Sequence, residues 1–303
     1  MPGTRLTRTL LVPLMLVALV AGACADDGDG EGEAGGTREG PAITVASFNF
    51  PESVLLGEIY GQALEENGYE IERKHDLGSR EVVFPAIESG EIDLIAEYIG
   101  SALSVGFEQE TLPTDPDEGH DALSEEFEKI GVTVLDYAPA EDKNTFVVTK
   151  EFADEHSLEN ISDLADAGDV TLGGPPECET RDTCFKGLEE TYGLDNLEFQ
   201  VMPEQSTRVS ALESGDIHVA LLFSTDPVIV DRGWVALEDD ETITPVENVV
   251  PVVNDEVVAA YGTEFTDVLN TVSKRITTDV LLELNKRVQL DNEDPEDVAR
   301  DWL

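Results

Sequence analysis

The chain has 303 residues, with 66 Asp or Glu against 18 Lys or Arg, which gives a formal net charge of −48. Its length suits one large domain or two domains of roughly 100–150 residues, and its 41% hydrophobic content is that of a globular protein. The charge argues against a nucleic-acid partner and against docking on an anionic membrane, because both require clustered cations. An acidic surface keeps proteins soluble in concentrated salt, although an ordinary solvated surface fits the charge equally well.

The N-terminus has the pattern of an export signal. Arg5 and Arg8 precede an apolar run, Leu10–Val20, which is shorter than the roughly 20 residues that span a bilayer but suits a signal peptide. Residues 21–24 then read AGAC, which resembles the lipobox of bacterial lipoproteins with alanine where leucine is usual. We therefore predict a lipoprotein signal peptide over residues 1–23 and a lipid on Cys24. Simple secretion after an A-x-A-like site is the alternative.

The segment after this signal is acidic and rich in glycine. Residues 25–41 carry no apolar side chain larger than alanine apart from Pro41. Such a segment cannot bury a core, so we predict a flexible tether over residues 24–41. The sequence therefore predicts a protein on the extracytoplasmic face of the cell membrane, held there by lipid.

From Ile43 onward, short β-branched segments alternate with amphipathic helical segments, which predicts α/β sheets covered by helices. The predicted strands are 43–47, 69–74, 92–96, 132–135, 145–149, 170–172, 198–202, 217–222 and 249–253. The predicted helices are 51–66, 79–90, 116–130, 183–192, 207–214, 265–288 and 295–302. Asn49 is predicted to cap the first of these helices.

An internal repeat indicates two related halves. Residues 86–98 read AIESGEIDLIAEY and residues 211–223 read ALESGDIHVALLF, at an offset of 125 residues. The same offset aligns residues 50–52, FPE, with residues 175–177, PPE. Two matches in one register predict two similar α/β lobes. Tyr98 and Phe223 end the equivalent strands, so we expect them to face each other across a cleft between the lobes.

Two cysteines remain once Cys24 is assigned to lipid. Cys178 and Cys184 lie close in sequence, and an exported location permits a disulfide between them. A zinc site would need further thiolate or imidazole ligands at metal spacing, whereas the four histidines are scattered. We predict a disulfide that closes a short loop, and no metal or cofactor site.

Several motifs occur in the order found in one family of binding proteins. They are SFNFPES (47–53), SREVVFPAIESGEID (79–93), EYIGSAL (97–103), DKNTFVV (142–148), GGPPECETRDTCFKGLEETYGL (173–194), FSTD (223–226) and ENVVPVVN (247–254). From Ile43 to Trp302 the chain resembles the substrate-binding lipoproteins of osmoprotectant ABC transporters, which take up glycine betaine, carnitine, choline or related quaternary amines. The resemblance implies an α/β fold of the type II periplasmic-binding-protein kind, with two lobes, two hinge crossings and a ligand cleft between the lobes.

The resemblance also implies an aromatic cage. A trimethylammonium group has a diffuse charge and no N–H donor, so aromatic faces hold it by cation–π attraction, while a ligand carboxylate pairs with a guanidinium and hydroxyls. The positions that match the family's ligand contacts are Phe48, Asn49, Tyr98, Ser101, Asn144, Phe146, Arg181 and Phe223. Phenylalanine stands at 146 and 223 where many members have tyrosine, and residues 245–248 lack a tyrosine that members often have. The identity of the ligand therefore stays open.

These assignments have structural alternatives. Tyr98, Phe146 and Phe223 could pack in a core, as aromatic residues commonly do. Arg181 could form a surface ion pair, and Phe48 with Asn49 could form only a strand-to-helix turn with a cap.

Three other prominent side chains are predicted outside the ligand site. Arg80 and Glu91 are assigned to solvated faces, and Trp302 is assigned to terminal packing.

The sequence thus predicts a two-lobed binding protein that performs no catalysis. Residues 42–142 plus 247–303 form the first lobe and residues 143–246 the second, with hinge crossings near 140–144 and 244–249. Tyr98 and Phe223 are expected to close on the cationic head of the ligand, and Arg181 with Ser101 to contact its acidic end.

The predicted partners are a small quaternary ammonium ligand and a membrane ABC permease driven by a cytoplasmic ATPase, with the binding protein acting as a monomer. Three alternatives remain: a binding protein for a different small cation or zwitterion, an enzyme on the same two-lobed scaffold, and a lipoprotein that acts only through protein contacts.

Overall fold

The computed structural model describes residues 38–303. The predicted signal peptide over residues 1–23, Cys24 and the predicted tether up to residue 37 lie outside the described residues. Among the helices of residues 38–303, none is both long enough and apolar enough to cross a bilayer.

Within this range the strands form two five-stranded mixed sheets. The strands of the first sheet are β1 (Ile43–Ala46), β2 (Ile71–Lys74), β3 (Leu94–Tyr98), β4 (Val132–Val134) and β10 (Val249–Asn254). The strands of the second sheet are β5 (Asn144–Val148), β6 (Val170–Gly174), β7 (Leu197–Val201), β8 (Val219–Phe223) and β9 (Val235–Ala236). We call the first sheet with its helices the first lobe, and the second sheet with its helices the second lobe.

Helices cover both sheets. The α-helices are α1 (Pro51–Glu66), α2 (Arg80–Glu88), α3 (Ile99–Ser101), α4 (Pro116–Glu128), α5 (Lys150–His156), α6 (Phe185–Glu190), α7 (Gln205–Ser214), α8 (Pro227–Arg232), α9 (Asp255–Tyr261), α10 (Thr263–Ser273), α11 (Thr278–Gln289) and α12 (Pro295–Trp302). A π-helical turn, Ala102–Gly106, continues α3, and short 3-10 segments lie at Ile161–Asp166 and Pro176–Thr180.

The two sheets share one topology. The strand order is β2-β1-β3-β10-β4 in the first sheet and β7-β6-β8-β5-β9 in the second. In each sheet three strands run parallel, and a strand that arrives from the other lobe inserts antiparallel beside the third. Strand β8 begins and ends 125 residues after β3, and α7 begins 125 residues after α2. The internal repeat therefore corresponds to two α/β lobes, as predicted.

The chain passes between the sheets twice. It leaves the first sheet after β4 and enters the second at β5, and it returns between β9 and β10. Helices α9–α12 then pack on the first lobe, where Phe265, Leu269 and Val298 are fully buried in the same core as Leu55 and Ile59 of α1. Trp302 packs against this core, as predicted.

Two local predictions were wrong. Asn49 does not cap α1: Phe50 occupies the N-cap position without a side-chain hydrogen bond, and the Ser53 hydroxyl instead accepts the Phe48 N–H at 2.9 Å. The predicted helix 265–288 is two helices, because the Thr277 side chain accepts the N–H of Val280 and starts a new helix. An apolar helical period continues across this break, so periodicity alone does not reveal it.

Gly100 fixes the return crossing against the first lobe. A Cβ at this position would lie 2.2 Å from Cγ of Pro245 and 2.6 Å from the carbonyl oxygen of Val246. The Gly100 N–H also donates to that carbonyl at 2.9 Å. Only glycine allows this close approach between the segment after Tyr98 and the crossing.

We expect Gly100→Ala to lower the free energy of unfolding by about 1–3 kcal/mol, the usual cost of overpacking a tight contact. Gly61→Ala is the matched control, because the nearest atom to its Cβ lies at an ordinary 3.6 Å within helix α1. Alanine should be neutral there or stabilise the helix by up to about 1 kcal/mol. Urea unfolding of both variants measures the difference, and equal midpoints would contradict the tight packing at Gly100.

Candidate functional site

A cavity of about 80 Å³ lies between the two lobes. Tyr98 at the end of β3 and Phe223 at the end of β8 both line it. The lining residues are Phe48, Asn49, Phe50, Ser79, Arg80, Tyr98, Ser101, Asp142, Asn144, Pro175, Glu177, Cys178, Arg181, Cys184, Leu221, Phe223 and Glu247. The ends of the repeated strands therefore meet at one site, where ligands of open α/β sheets bind.

Four aromatic rings line this cavity. Phe50 lies between the two strand-end residues, with its ring centre 5.9 Å from that of Tyr98 and 5.3 Å from that of Phe223. The Phe48 ring stacks on Phe50 at 5.9 Å. Phe50 was not predicted as a site residue, although it opens the FPE segment of the internal repeat. The FPE match in the internal repeat was the sequence signal that could have identified Phe50 as a site residue.

The predicted ligand contacts need one correction, because Phe146 lies outside the cavity. Its side chain is 1% exposed and packs in the second-lobe core with Leu172 and Leu221, and it does not line the cavity. Asn144 lies two residues earlier on β5, nearer the sheet edge, and does line the cavity. Residues two apart share a face of a strand, so the resemblance placed Phe146 on the correct face but too deep in the sheet.

The carboxylate of Glu52 joins the two lobes behind the aromatic rings. It is buried and accepts hydrogen bonds from the Tyr98 hydroxyl at 2.8 Å, the Thr225 hydroxyl at 2.5 Å and the Asn285 amide at 2.6 Å. Thr225 follows β8 in the second lobe, whereas the other donors lie in the first. Burial, together with the Glu52 charge, raises the pKa of Tyr98 well above its ordinary value, so its hydroxyl stays protonated and remains a donor.

Two further buried carboxyl groups lie at this junction. Asp142 accepts the Thr225 N–H at 3.1 Å, and Asp226 accepts the Phe223 N–H at 2.8 Å. Burial and the neighbouring acidic charges raise the pKa of Asp142 well above its ordinary value. Burial raises the pKa of Asp226 to about 6. The crossing at Asp142 is therefore tied to the loop that follows the cavity residue Phe223.

Arg80 does not lie on a solvated face, so that prediction was wrong. Its guanidinium is buried and pairs with the buried carboxylate of Glu97, with Nη2 2.8 Å from Oε2. It also lies 4.8 Å from the ring centre of Phe48. Burial alone lowers the pKa of Arg80, but the charge and hydrogen bonds of Glu97, together with the charges of Glu247 and Glu81, outweigh burial and raise it. Glu91 is exposed, as predicted.

Ser101 lines the cavity and is also hydrogen-bonded to a buried acid. Its hydroxyl donates to Oε1 of Glu247 at 2.6 Å, and its N–H donates to Oε2 at 3.0 Å. Glu247 is 2% exposed, and burial raises its pKa to about 7 despite these two donors. Glu247 lies on the return crossing and was not predicted as a site residue, because its partner is 146 residues away in sequence.

The cysteine loop supplies the cavity wall from the second lobe. Cys178 and Cys184 form a disulfide, as predicted. Arg181, between them, reaches the first lobe and pairs with Glu81 of α2, with Nη2 2.9 Å from Oε1. The Asn144 amide donates to the backbone oxygen of Thr183 at 3.1 Å, which fixes the loop on β5.

The cavity thus brings together most of the predicted ligand contacts, all except Phe146. These are Phe48, Asn49, Tyr98, Ser101, Asn144, Arg181 and Phe223. The polar residues that the sequence did not reveal are Ser79, Arg80, Asp142, Glu177 and Glu247. Within residues 38–303 no cluster of His, Cys, Asp and Glu has the arrangement of a metal site.

The raised pKa of Glu247 makes a prediction for stability. The folded protein binds this proton more tightly than the unfolded chain does, so the contribution is present at low pH and is lost as pH rises from about 4.5 to about 7. Relative to wild type, Glu247→Gln should therefore gain about 3 kcal/mol in unfolding free energy between pH 4 and pH 8.

Denaturant unfolding at both pH values measures this gain, with Glu125→Gln, an exposed position on α4, as the control. A pH dependence that is equal in wild type and Glu247→Gln contradicts the assignment.

Comparison with known proteins supports a common origin for this architecture. The family model for the substrate binding domain of an ABC-type glycine betaine transport system matches residues 41–303. The glycine betaine-binding protein YehZ of Escherichia coli (strain K12) is 26% identical over 273 residues, which cover 86% of this chain and 89% of that protein. The ergothioneine transport permease/ergothioneine binding protein EgtU of Helicobacter pylori (strain G27) is 27% identical over 268 residues, which cover 86% of this chain and 47% of that protein.

A solved structure shows the same fold. The crystal structure of a glycine betaine/carnitine/choline ABC transporter superimposes with a TM-score of 0.70 at 23% identity, over 86% of this chain and 97% of that one. Because the family model spans the described chain from residue 41 to its end, this protein belongs to the substrate-binding domains of ABC-type glycine betaine transport systems and is a binding protein rather than an enzyme.

Proposed function

We propose that this protein captures a small quaternary ammonium compound in the cavity between its lobes and delivers it to an ABC permease. The observation that carries the proposal is the group of four aromatic rings, Phe48, Phe50, Tyr98 and Phe223, around one small cavity. A quaternary ammonium group cannot donate hydrogen bonds, so aromatic faces and nearby carboxylates are the side chains that recognise it. The relative named as a glycine betaine-binding protein supports the same class of ligand.

In this proposal the first lobe comprises residues 42–142 and 247–303, and the second lobe comprises residues 143–246. The hinges lie near residues 140–144 and 244–249. Support comes from the positions of the strands, because the chain passes between sheets after β4 and after β9. Ligand contacts from both lobes favour the closed form, since a ligand shifts an equilibrium only through contacts that differ between the two states. Closure of this kind is a hinge motion.

The proposal places the protein on the extracytoplasmic face of the membrane. Lipid on Cys24 and the tether over residues 24–41 would hold it near the permease, which a cytoplasmic ATPase drives, and the protein would act as a monomer. We expect Cys24→Ser to abolish incorporation of radiolabelled palmitate and to release the protein into the soluble fraction. Unchanged labelling of Cys24→Ser would contradict the anchor.

A different small zwitterion is the second candidate. The relative named as an ergothioneine binding protein covers 86% of this chain, and ergothioneine also carries a trimethylammonium group. Phe223, which lines the cavity, supplies no hydroxyl where the family often has tyrosine, which leaves the polar part of the ligand open. Ergothioneine therefore belongs in any binding panel.

We expect Tyr98→Ala and Phe223→Ala each to weaken binding about tenfold or more, because a desolvated cation–π contact contributes up to about 2 kcal/mol. Isothermal titration against glycine betaine, carnitine, choline, proline betaine and ergothioneine measures this loss. Tyr137→Ala is the control, since Tyr137 is a first-lobe tyrosine that packs against the same core as Tyr98 but does not line the cavity.

If none of these compounds binds to the wild-type protein, the proposed function is wrong. If one binds and both cavity variants retain its full affinity, the site is wrong.

A further inference from the structure

The two arginines that line the cavity are already paired. Arg80 pairs with Glu97 at 2.8 Å, and Arg181 pairs with Glu81 at 2.9 Å. Neither of these carboxylates lines the cavity itself. Each pair is close to neutral, so the arginines offer little free positive charge to an anionic group on a ligand.

Three carboxylates that line the cavity have no such partner. They are Asp142, Glu177 and Glu247. Among residues 38–303, no Lys, Arg or His nitrogen lies within 4.0 Å of their carboxylate oxygens. Within this part of the chain, the lining therefore holds three acidic groups without a cationic partner and two arginines that are already paired, and its remaining residues are uncharged.

Two of these acids lie where the ionised form of a carboxyl group is unfavourable. Burial raises the pKa of Glu247 to about 7, and burial with neighbouring acids raises the pKa of Asp142 well above its ordinary value. A cation in the cavity would stabilise both ionised forms, whereas a ligand carboxylate would add to the repulsion.

Glu247 is the acid best placed to discriminate between ligands. It is 2% exposed, and both of its oxygens are held by Ser101, at 2.6 and 3.0 Å. Glu177 is only half-buried, and an Asp142 oxygen is bound to the loop at Thr225 in the second lobe. When ionised, above its raised pKa of about 7, Glu247 therefore presents a fixed, desolvated negative charge from the first lobe to the cavity that the aromatic rings line.

We propose that this cavity selects quaternary ammonium ligands with a net positive charge over zwitterions with a free carboxylate, and that Glu247 is the specificity-determining residue. The inference rests on the proposed function and narrows it to one charge class. Arg181 fits a neutral oxygen on such a ligand, because its Nε is buried without a hydrogen-bond partner among residues 38–303 while Nη2 is held by Glu81. A hydroxyl can accept that N–H, whereas a carboxylate there would lie close to the charge of Glu81.

Choline and glycine betaine test this directly. They share the trimethylammonium group and differ in an alcohol against a carboxylate, so their affinity ratio isolates the charge. Isothermal titration of the mature wild-type protein in one buffer at pH 8 should give choline an advantage of about tenfold or more, as expected for one partly screened charge interaction. Glu247→Gln should lose most of that advantage, Glu247→Asp should keep it, and Glu125→Gln should leave it unchanged.

The outcomes separate the two proposals. If neither compound binds, the proposed function fails and this inference fails with it. If glycine betaine binds as tightly as choline or more tightly, the cavity still binds quaternary amines but its selection by charge is wrong. If choline is preferred and Glu247→Gln retains the full affinity ratio, Glu247 is not the determinant. If Glu247→Gln fails to fold, Glu247→Asp is the test instead, and loss of the choline preference in that variant contradicts the inference.

Discussion

The structure depends on one buried carboxylate, that of Glu52. Three donors from two lobes converge on it: the hydroxyls of Tyr98 and Thr225 and the amide of Asn285. A buried charge is stable only when hydrogen bonds replace its lost hydration, so removal of any one donor would leave it under-satisfied. The same bonds orient the ring of Tyr98 and fix the loop after β8. The position of the aromatic walls and the approach of the two lobes therefore have a common physical cause.

Helix α11 extends this connection beyond the cavity. It packs against both α1 of the first lobe and α8 of the second, and its Asn285 also donates to the backbone oxygen of Thr225 at 3.2 Å. The C-terminal helices thus belong to the core of the first lobe while one of them supports the junction. Movement of one lobe relative to the other must change three contacts: that of Asn285 with Thr225, that of Asp142 with Thr225, and the ion pair of Arg181 with Glu81.

The sequence predicted the α/β class, the two lobes, the disulfide and seven of the seventeen residues that line the cavity. It could do so because these features repeat or are local. Strand and helix periods recur along the chain, the 125-residue repeat marks equivalent strand ends, and Cys178 and Cys184 are six residues apart. It failed at the N-cap of α1 and at the break near Thr277, where one side-chain hydrogen bond decides the outcome.

The sequence by itself therefore determined the architecture and located Tyr98 and Phe223 at the ends of equivalent strands. Only the tertiary structure decided which polar groups share the cavity with them. Glu247 meets Ser101 across 146 residues of chain, and Arg80 meets Glu97 across a helix and a strand. The physical reason is that the hydrophobic period depends on residues that are close in sequence. The environment of a charged group depends instead on the residues that the fold brings next to it, which can be distant in sequence.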